Sequence, residues 1–401
     1  MSKSKLNHKG FPISSSGKSF KSFLKSKPNI FNSEFQFPIM VIKESAILSN
    51  IQTMAEFCHE IGAEIAPHVK TTMSPQIASL QLKAGAWGVT VANFSQAEVF
   101  INSGFKKIII ANEIVSETVI SEISKINATN NCEIIFYVDS LIGLELIQKS
   151  TPQKGKINLF IEIGVEAGRG GIRDLALVRK IAMEIKNDHR LRLRGVTGFE
   201  GAVPNAMRTT EGERAVALFC QRIVAAAEIA FEFKSDEIFI LSAGGSAYFE
   251  IVGRELARFT KPNLLLLRSG GYVTHDHIYY ENLYPWRASQ NQLKPAIEIW
   301  SQVISKPEND LGILNLGKRD VGTDLDNPIP ILKFKDEILG FSGKIEKLND
   351  QHAFLKSSDK FEIGTLIGLG ISHPCTTFDK WRVIPLVNDN YDVVDLIETH
   401  F

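Results

Sequence analysis

The middle of the chain alternates between short apolar runs and longer amphipathic stretches. The first apolar residues recur at the spacing of a helix: Ile47, Ile51, Met54, Cys58 and Ile61. Gly62, a residue that commonly ends helices, follows them. Apolar runs then occur near residues 63–69, 86–91, 107–112, 133–138, 157–163, 193–199, 237–242 and 263–267. The stretches between these runs are long enough for helices, as from Ala215 to Ala230.

This succession of eight strand-then-helix steps predicts an α/β fold, a (β/α)8 TIM barrel, which needs roughly 200 residues or more. A doubly wound open sheet is the alternative. That sheet would need a glycine-rich dinucleotide-binding turn after its first strand, and none follows residues 63–69. The pattern therefore favours the barrel.

The rhythm changes from about residue 276 onward. The apolar segments become short, partly alternating and interrupted by Gly, Pro and Asn, as at 296–304, 311–316, 329–334, 338–348 and 381–387. Such a pattern is typical of an antiparallel β domain. The strand-like stretch 37–43 precedes the first barrel helix and is not needed by the barrel, so we assign it to the β domain.

Three regions follow from these patterns. Residues 44–275 form the predicted barrel, and residues 37–43 with 276–401 form the second, mainly antiparallel domain. Residues 1–36 are predicted to be an N-terminal arm, since the first 27 residues contain seven lysines and no acid. They lack the apolar core of a signal peptide.

Composition narrows the classes of function. Lys and Arg total 45, as do Asp and Glu, so the balance gives no indication of a nucleic-acid or anionic-membrane partner. Hydrophobic residues make up 44% of the 401 residues, but no apolar run approaches the ~18 residues of a membrane span. Four scattered cysteines without framework spacing predict a reducing, cytoplasmic environment.

Candidate chemistry lies where the predicted strands end, because barrel enzymes carry their active sites at that face. Lys70 follows the first strand, and "SAGGS" (242–246) and "RSGGY" (268–272) follow the last two. Paired glycines let backbone N–H groups approach an anion, and a lysine opposite a phosphate cradle suits pyridoxal phosphate, whose aldehyde forms a Schiff base with an amine. Taken singly, a solvated lysine and ordinary glycine turns explain the same residues.

Arg169 lies in "GVEAGRGG" (164–171), after the fifth strand. At that rim its guanidinium can hydrogen-bond the phenolic oxygen of a pyridoxal ring. The alternative is a structural ion pair.

The stretch "PHVKTTMSPQIASLQLKAGAWGVTVANFSQAE" (67–98) resembles the cofactor-lysine segment of the D-serine dehydratase/D-threonine aldolase family. These are fold-type III pyridoxal-phosphate enzymes built like alanine racemase. The resemblance continues through "IEIGVEAGRGG", "SAGGS" and "RSGGYV" to "GLGISHPCTTFDKW" (368–381). It implies that Lys70 bears the cofactor and Arg169 lies near the ring, with phosphate contacts around Ser242, Gly244, Gly245, Gly271 and Tyr272.

His373 and Cys375 form a second constellation. On an extended segment, residues i and i+2 face the same side, and nitrogen with thiolate selects zinc over magnesium or calcium. An isolated His-x-Cys pair is commonly chance, and no CxxC or HxH motif accompanies this one. The family resemblance favours a metal site, because similar dehydratases carry zinc on His-x-Cys, whereas the resembling aldolases tend to have His-x-Asp.

The resemblance therefore implies a zinc- and pyridoxal-phosphate-dependent dehydratase. Its substrate would be a D-3-hydroxy amino acid (D-serine, D-threonine or D-3-hydroxyaspartate), converted to a 2-keto acid and ammonia. A D-threonine-type aldolase releasing glycine and an aldehyde is the alternative. An amino-acid racemase and a non-catalytic pyridoxal-phosphate carrier are further ones. The resemblance also implies a homodimer, in which Lys318 and Arg319 of "NLGKRDVGTD" would act in trans on a substrate carboxylate; a charged turn explains them equally well.

Two positions depart from the family pattern. Gly164 stands where many members have an acid, and Phe199 stands where a tyrosine is frequent. His275 and His277 follow the "RSGGY" loop, and we assign them no metal role. The departures concern substrate identity more than the class of reaction.

Overall fold

The structure is a computed structural model, and it describes residues 5–129, 131–204, 208–235, 238–261, 263–283 and 292–401. Contacts divide the chain into two compact units. The first comprises Met1–Thr53, Thr71–Ile77 and Gly271–Phe401, and the second comprises Met54–Lys70 and Ala78–Gly270. The predicted domain boundaries at residues 44 and 275 stay predictions.

Helices and strands follow one another as the apolar pattern predicts. The α-helices of the described residues are α1 Phe20–Leu24, α2 Glu44–Glu60, α3 Pro75–Lys83, α4 Phe94–Asn102, α5 Glu117–Ala128, α6 Leu141–Ser150, α7 Leu175–Asn187, α8 Thr210–Ala230, α9 Phe249–Leu256, α10 Tyr279–Leu283 and α11 Cys375–Phe378. Short 3₁₀ helices cover Ile13–Ser15, Glu200–Ala202, Phe231–Phe233 and Gly271–Val273.

The strands fall into two groups by position in the chain. The first strand and those of the middle region are β1 Ile39–Lys43, β2 Ala63–Ile65, β3 Val89–Val91, β4 Lys107–Glu113, β5 Glu133–Val138, β6 Ile157–Ile163, β7 Leu191–Gly198, β8 Phe239–Ala243 and β9 Asn263–Leu267. The C-terminal strands are β10 Ile297–Glu308, β11 Leu311–Leu314, β12 Ile329–Phe334, β13 Ile338–Gly340, β14 Lys344–Leu348, β15 Ala353–Lys356, β16 Leu366–Gly370, β17 Val383–Val387 and β18 Val393–Glu398.

The second unit is an eight-stranded parallel barrel. Its strands pair in the order β2-β9-β8-β7-β6-β5-β4-β3. Backbone bonds from Trp87 N to Ile65 O and from Thr90 N to Pro67 O close the ring between β2 and β3. The predicted fold class, a TIM barrel with a separate, mainly antiparallel domain, is confirmed.

Apolar side chains fill the barrel, as a (β/α)8 interior requires. They come from five strands and from the residue after β2, and comprise Ala66, Ile109, Ile135, Tyr137, Phe160, Ile240 and Leu266. Several helices begin where a Ser, Thr, Asn or Asp side chain accepts a backbone N–H: Asn93 for α4, Ser116 for α5, Ser140 for α6, Asp174 for α7 and Thr209 for α8. These caps satisfy N–H groups that the first helical turn leaves without partners.

The first unit contains a ten-stranded sheet, with the path β13-β12-β16-β10-β1-β17-β18 and with β11, β14 and β15 off this path. Every pairing is antiparallel except that of β1 with β17. β1, predicted from the stretch 37–43, lies between β10 and β17.

The segment predicted as an N-terminal arm contributes buried side chains to this unit. Leu6, Phe11, Phe20 and Phe23 belong to one apolar cluster with Trp300 of β10. The ring of Phe23 lies 5.7 Å from that of Phe11, centroid to centroid. Among the described residues, the helices are all too short or too polar to cross a bilayer.

Candidate functional site

Lys70 emerges at the C-terminal end of the barrel strands. The chain after β2 is pinned on both sides, since Ala66 N donates to Leu267 O and Val69 N donates to Thr90 O, each at 2.8 Å. Lys70 follows these bonds directly, and its side chain is exposed. Its ammonium is therefore carried by a fixed backbone rather than by a loose loop.

Positive charge gathers around His68, which precedes this lysine by two positions. Burial first, and then the charges of Lys70, Arg268 and Arg169, hold the pKa of His68 well below its ordinary value. The ring is thus neutral near pH 7, and its Nδ1 is buried without a hydrogen-bond partner in the described part of the chain. A buried nitrogen of this kind could accept or donate a hydrogen bond to a ligand bound at this face.

Arg268, which follows β9, is a functional candidate that sequence reasoning missed. Its buried guanidinium donates to Thr197 Oγ1 at 2.8 Å, to Ser242 Oγ at 2.6 Å and to Gly198 O at 2.7 Å. Ser242 in turn donates to Leu266 O at 2.9 Å. The Ser242 hydroxyl thus orients Arg268, and its predicted contact with a phosphate stays a prediction.

The glycine loops after β8 and β9 are joined to each other. Ser269 Oγ donates to Gly245 O at 2.8 Å, and Gly270 N donates to Ser246 Oγ at 3.3 Å. Gly244 has φ +103°, a conformation that side chains with a Cβ rarely adopt. Gly271 and Tyr272 come next in the chain and are buried in the 3₁₀ helix Gly271–Val273.

The N–H groups of the first glycine loop already hold a carboxyl group of the protein. Gly244 N donates to Glu200 Oε2 at 3.1 Å, and Gly245 N donates to Glu200 Oε1. Glu200 is 1% exposed, and burial raises its pKa, while the two N–H bonds and Arg268 oppose that rise. The carboxylate is a stand-in ion, which demonstrates that this loop has the geometry of an anion cradle.

Arg169 lies on an exposed loop and stacks on an aromatic ring. Its guanidinium carbon is 4.7 Å from the ring centroid of Phe199. A Cβ added to Gly245 would approach the same ring to 3.0 Å. Phe199 thus lies between the arginine and the anion cradle.

A pair of carboxyl groups lies beside this loop. Glu113 ends β4 and Glu162 lies in β6, and a Cβ added to Gly170 would come within 2.9 Å of Glu162 Oε2 and 3.2 Å of Glu113 Oε2. Burial, followed by the charge and hydrogen bond of Glu113, raises the pKa of Glu162 well above its ordinary value. The two groups therefore share a proton more readily than isolated carboxyls would.

The predicted metal pair lies in the first unit. His373 follows β16, and Cys375 begins the four-residue helix α11. Burial opposes the charge of His373, but hydrogen bonds with Cys375 and Asp324 outweigh it and raise the pKa of His373 to about 9. Cys375 Sγ also lies 3.1 Å from Oγ1 of Thr71, the residue that follows Lys70 in the chain.

Asp324 is the second residue that sequence reasoning missed. Its Oδ2 is 2.6 Å from His373 Nδ1, and its Oδ1 accepts from Thr376 Oγ1 at 2.6 Å. A carboxylate on Nδ1 leaves Nε2 for a metal, as in the carboxylate–histidine–zinc arrangement. Among the described residues, no three His, Cys, Asp or Glu side chains are grouped to hold an ion.

The other charged residues considered from sequence have local partners. Arg319 is exposed and pairs with Asp350 at 3.7 Å, while Lys318 N donates to Asn349 O. His275 Nε2 lies 2.9 Å from Glu281 Oε2. A substrate role for Lys318 and Arg319 stays a prediction.

Two family models match the chain. The model of the alanine racemase N-terminal domain matches residues 42–255, more than half of the sequence, and that of the putative serine dehydratase domain matches residues 296–387. The chain belongs to the alanine racemase N-terminal domain family. The predicted resemblance to fold-type III pyridoxal-phosphate enzymes of the D-serine dehydratase/D-threonine aldolase group is thereby confirmed.

Relatives of this alanine racemase family member include both aldolases and dehydratases. The D-threonine aldolase of Arthrobacter sp. is 24% identical over 360 residues, which cover 88% of this chain and 89% of the relative. The solved D-threo-3-hydroxyaspartate dehydratase of Delftia sp. HT23 has a TM-score of 0.75 at 22% identity, covering 91% of this chain and 97% of that one. A cysteine-to-alanine mutant of a D-threo-3-hydroxyaspartate dehydratase, solved in its metal-free form, has a TM-score of 0.73 at 20% identity over 91% and 97% of the two chains. The relatives are lyases, and their names do not separate the two reactions for this chain.

The residues at the barrel mouth fit the cofactor that this family uses. They offer an amine on Lys70, an anion cradle with a carboxylate in it and two guanidinium groups. A Cβ on Gly270 would lie 2.2 Å from His68 O, so the backbones of the lysine strand and the second glycine loop approach as closely as glycine permits. Nitrogen and sulfur donors on His373 and Cys375 likewise fit zinc.

Proposed function

We propose that this protein is a pyridoxal-phosphate- and zinc-dependent dehydratase of a D-3-hydroxy amino acid, releasing a 2-keto acid and ammonia. D-Serine, D-threonine and D-3-hydroxyaspartate are the candidate substrates. The observation that carries the proposal is the pairing of Cys375 with His373, whose Nδ1 is held by Asp324.

Cys375 is the cysteine suited to a metal. Cys58, Cys132 and Cys220 are buried, and burial raises the pKa of Cys58 to about 12 and that of Cys132 to about 11, so their thiols resist ionisation. Cys375 is half-buried beside an imidazole. A related D-threo-3-hydroxyaspartate dehydratase was solved as a cysteine-to-alanine mutant in its metal-free form, and we infer a similar metal-binding role for Cys375.

The chain's own residues would divide the work as follows. Lys70 would carry the cofactor and then act as the base that takes the α-proton of the substrate. Gly244 and Gly245 would bind the phosphate through their N–H groups, and Arg169 would hydrogen-bond the ring oxygen. His373 Nε2 and Cys375 Sγ would hold the zinc ion.

The bound groups supply two kinds of chemistry. Pyridoxal phosphate delocalises the negative charge that develops at the α-carbon. Zinc on His373 and Cys375 would act as a Lewis acid toward the β-hydroxyl, and loss of that hydroxyl and the α-proton as water would leave an enamine. The resulting enamine takes up water and releases the keto acid and ammonia.

An aldolase is the second candidate. It is favoured by the D-threonine aldolase of Arthrobacter sp., which aligns over 88% of this chain. In that reaction the β-hydroxyl loses its proton, the Cα–Cβ bond breaks, and glycine and an aldehyde form. Cys375 argues against it, because resembling aldolases tend to have aspartate at that position.

A product assay tests the proposal. The purified protein, with pyridoxal phosphate and zinc, is offered the three candidate substrates, and keto acid, ammonia, glycine and aldehyde are measured. We expect keto acid and ammonia in equal amounts, abolished in Lys70→Ala and after chelation. Glycine with aldehyde would establish the aldolase, and absence of turnover despite a Lys70-dependent absorbance would indicate a carrier.

We also infer a homodimer in a reducing cytoplasm. The dimer rests on the family resemblance, and the compartment rests on the four scattered cysteines, whose positions lack the spacing of a disulfide framework. Light scattering of the holoenzyme measures the mass directly, and a monomeric mass of 44.6 kDa would contradict the dimer.

A further inference from the structure

The anion cradle of the barrel is already filled by a side chain of the protein. The two N–H groups of Gly244 and Gly245 point at one carboxylate, that of Glu200, and both residues are among the predicted phosphate contacts. Each backbone N–H donates one such bond. Glu200 and a phosphate therefore cannot both use this cradle fully.

A phosphate should displace the Glu200 side chain from the two N–H groups. Among the described residues it has no ion-pair partner, and it is 1% exposed, so its charge is buried with only dipoles and the more distant Arg268 to balance it. A phosphate brings up to two negative charges and more acceptor oxygens to the same donors. The exchange would release a buried carboxylate to water and place a stronger acceptor on the cradle.

We propose that Glu200 is a resident anion of the phosphate cradle, which keeps the two glycine N–H groups paired while the cofactor is absent and must be displaced when the cofactor phosphate binds. Glu200 is thus a determinant of cofactor affinity, and this inference rests on the proposed function. The alternative is that Glu200 is a permanent strut, which stays bonded to the glycine loop both with and without the cofactor.

Position favours an exchange over a strut. Glu200 begins a 3₁₀ helix of three residues, Glu200–Ala202, that follows β7 directly. The loop after β8 has its own links to the loop after β9, from Ser269 Oγ to Gly245 O and from Gly270 N to Ser246 Oγ. The cradle therefore has attachments that remain when the carboxylate leaves.

Binding measurements separate the two roles. Pyridoxamine 5′-phosphate lacks the aldehyde and cannot bond covalently to Lys70, so its dissociation constant reports the non-covalent site; pyridoxamine, without the phosphate, is the matched ligand. Both are titrated by calorimetry into the apoprotein, Glu200→Gln and Glu200→Ala. Glu166→Gln is the control, because it removes an exposed charge from the loop after β6 without touching the cradle.

We expect Glu200→Ala to bind pyridoxamine 5′-phosphate about tenfold more tightly or better, because a charge-assisted pair no longer competes. Glu200→Gln, whose neutral amide oxygen still accepts, should lie between. Affinity for pyridoxamine should change little, and Glu166→Gln should behave like the unmodified protein.

Other results overturn the proposal. Unchanged or weaker binding of the phosphorylated ligand in Glu200→Ala, with a lowered melting temperature that Glu200→Gln restores, would establish a strut. If pyridoxal phosphate still gives a Lys70-dependent absorbance, such a result would overturn only the role of Glu200 and leave the proposed function standing. Absence of that absorbance together with no binding of either ligand would overturn both the proposed function and this inference.

Discussion

At the scale of a single residue, the carboxylate of Asp324 sets the orientation of the His373 ring. It lies 2.6 Å from Nδ1 and is itself held by Thr376, so rotation of the ring would break its contact with a carboxylate that is fixed in place. This carboxylate is far from the proposed metal pair in sequence, and no spacing motif connects residue 324 with residues 373 and 375. Fixing of this kind reduces the entropy that metal binding would otherwise cost.

Replacing Asp324 with alanine should weaken zinc binding by about 10- to 100-fold, because the ring loses its orienting partner. The measurement is competition with a chromogenic zinc chelator. Asp326→Ala is the matched control, an exposed aspartate two positions along the same turn. Equal affinity in the two variants would contradict the orienting role.

The residues that sequence predicts and those that it misses differ in one physical respect. Lys70, His373 and Cys375 stand in local patterns, either after a strand or two apart, that identify them without a fold. Arg268, Asp324 and Glu200 are functional candidates only because of contacts with residues distant in the chain. Arg268 had a usable signal, since it directly follows a barrel strand at the face where chemistry occurs.

At the scale of elements, barrel strands were predictable because they are short apolar runs bounded by helices. The stretches 133–138, 157–163 and 263–267 match β5, β6 and β9. β16 was not predicted: it is buried along its whole length between β12 and β10, so no alternation of apolar and polar residues marks it. Its Gly368 packs under the Trp300 ring, where a Cβ would come within 2.9 Å.

The N-terminal segment behaves as part of the first unit's core. Phe23 is 4% exposed and packs edge-on against Phe11 and Phe35, with centroids 5.7 and 6.0 Å away. Phe23→Ala should lower the free energy of unfolding by about 3–5 kcal/mol, the usual cost of removing a buried aromatic ring. Denaturant unfolding measures the change.

The exposed Lys21, in the same helix, provides the comparison. Lys21→Ala should stay within about 0.5 kcal/mol of the unmodified protein. A similarly small effect of Phe23→Ala would mean that the segment is a loosely attached arm after all.

At the scale of the whole molecule, we expect the fold to be independent of the proposed metal. The turn that carries His373 and Cys375 is held by protein bonds, from Thr377 Oγ1 to His373 O and from Trp381 Nε1 to Asp320 O. Chelation should therefore abolish turnover while leaving the far-UV circular dichroism unchanged, unlike the removal of a structural zinc ion. Loss of the helical and sheet signal on chelation would contradict this independence.

Both sheets pair strands from early in the sequence with strands from late in the sequence. This order has a consequence for folding during translation. Ile39 of β1 pairs with Trp300, and Ile65 of β2 pairs with Leu267, so each early strand leaves the ribosome long before its partner is synthesised. Until then the nascent chain carries unpaired apolar edges, which are prone to associate with other chains. Efficient production should consequently depend on chaperones that shield β1 and β2 during translation, and synthesis that stops before residue 263 leaves both strands without those partners.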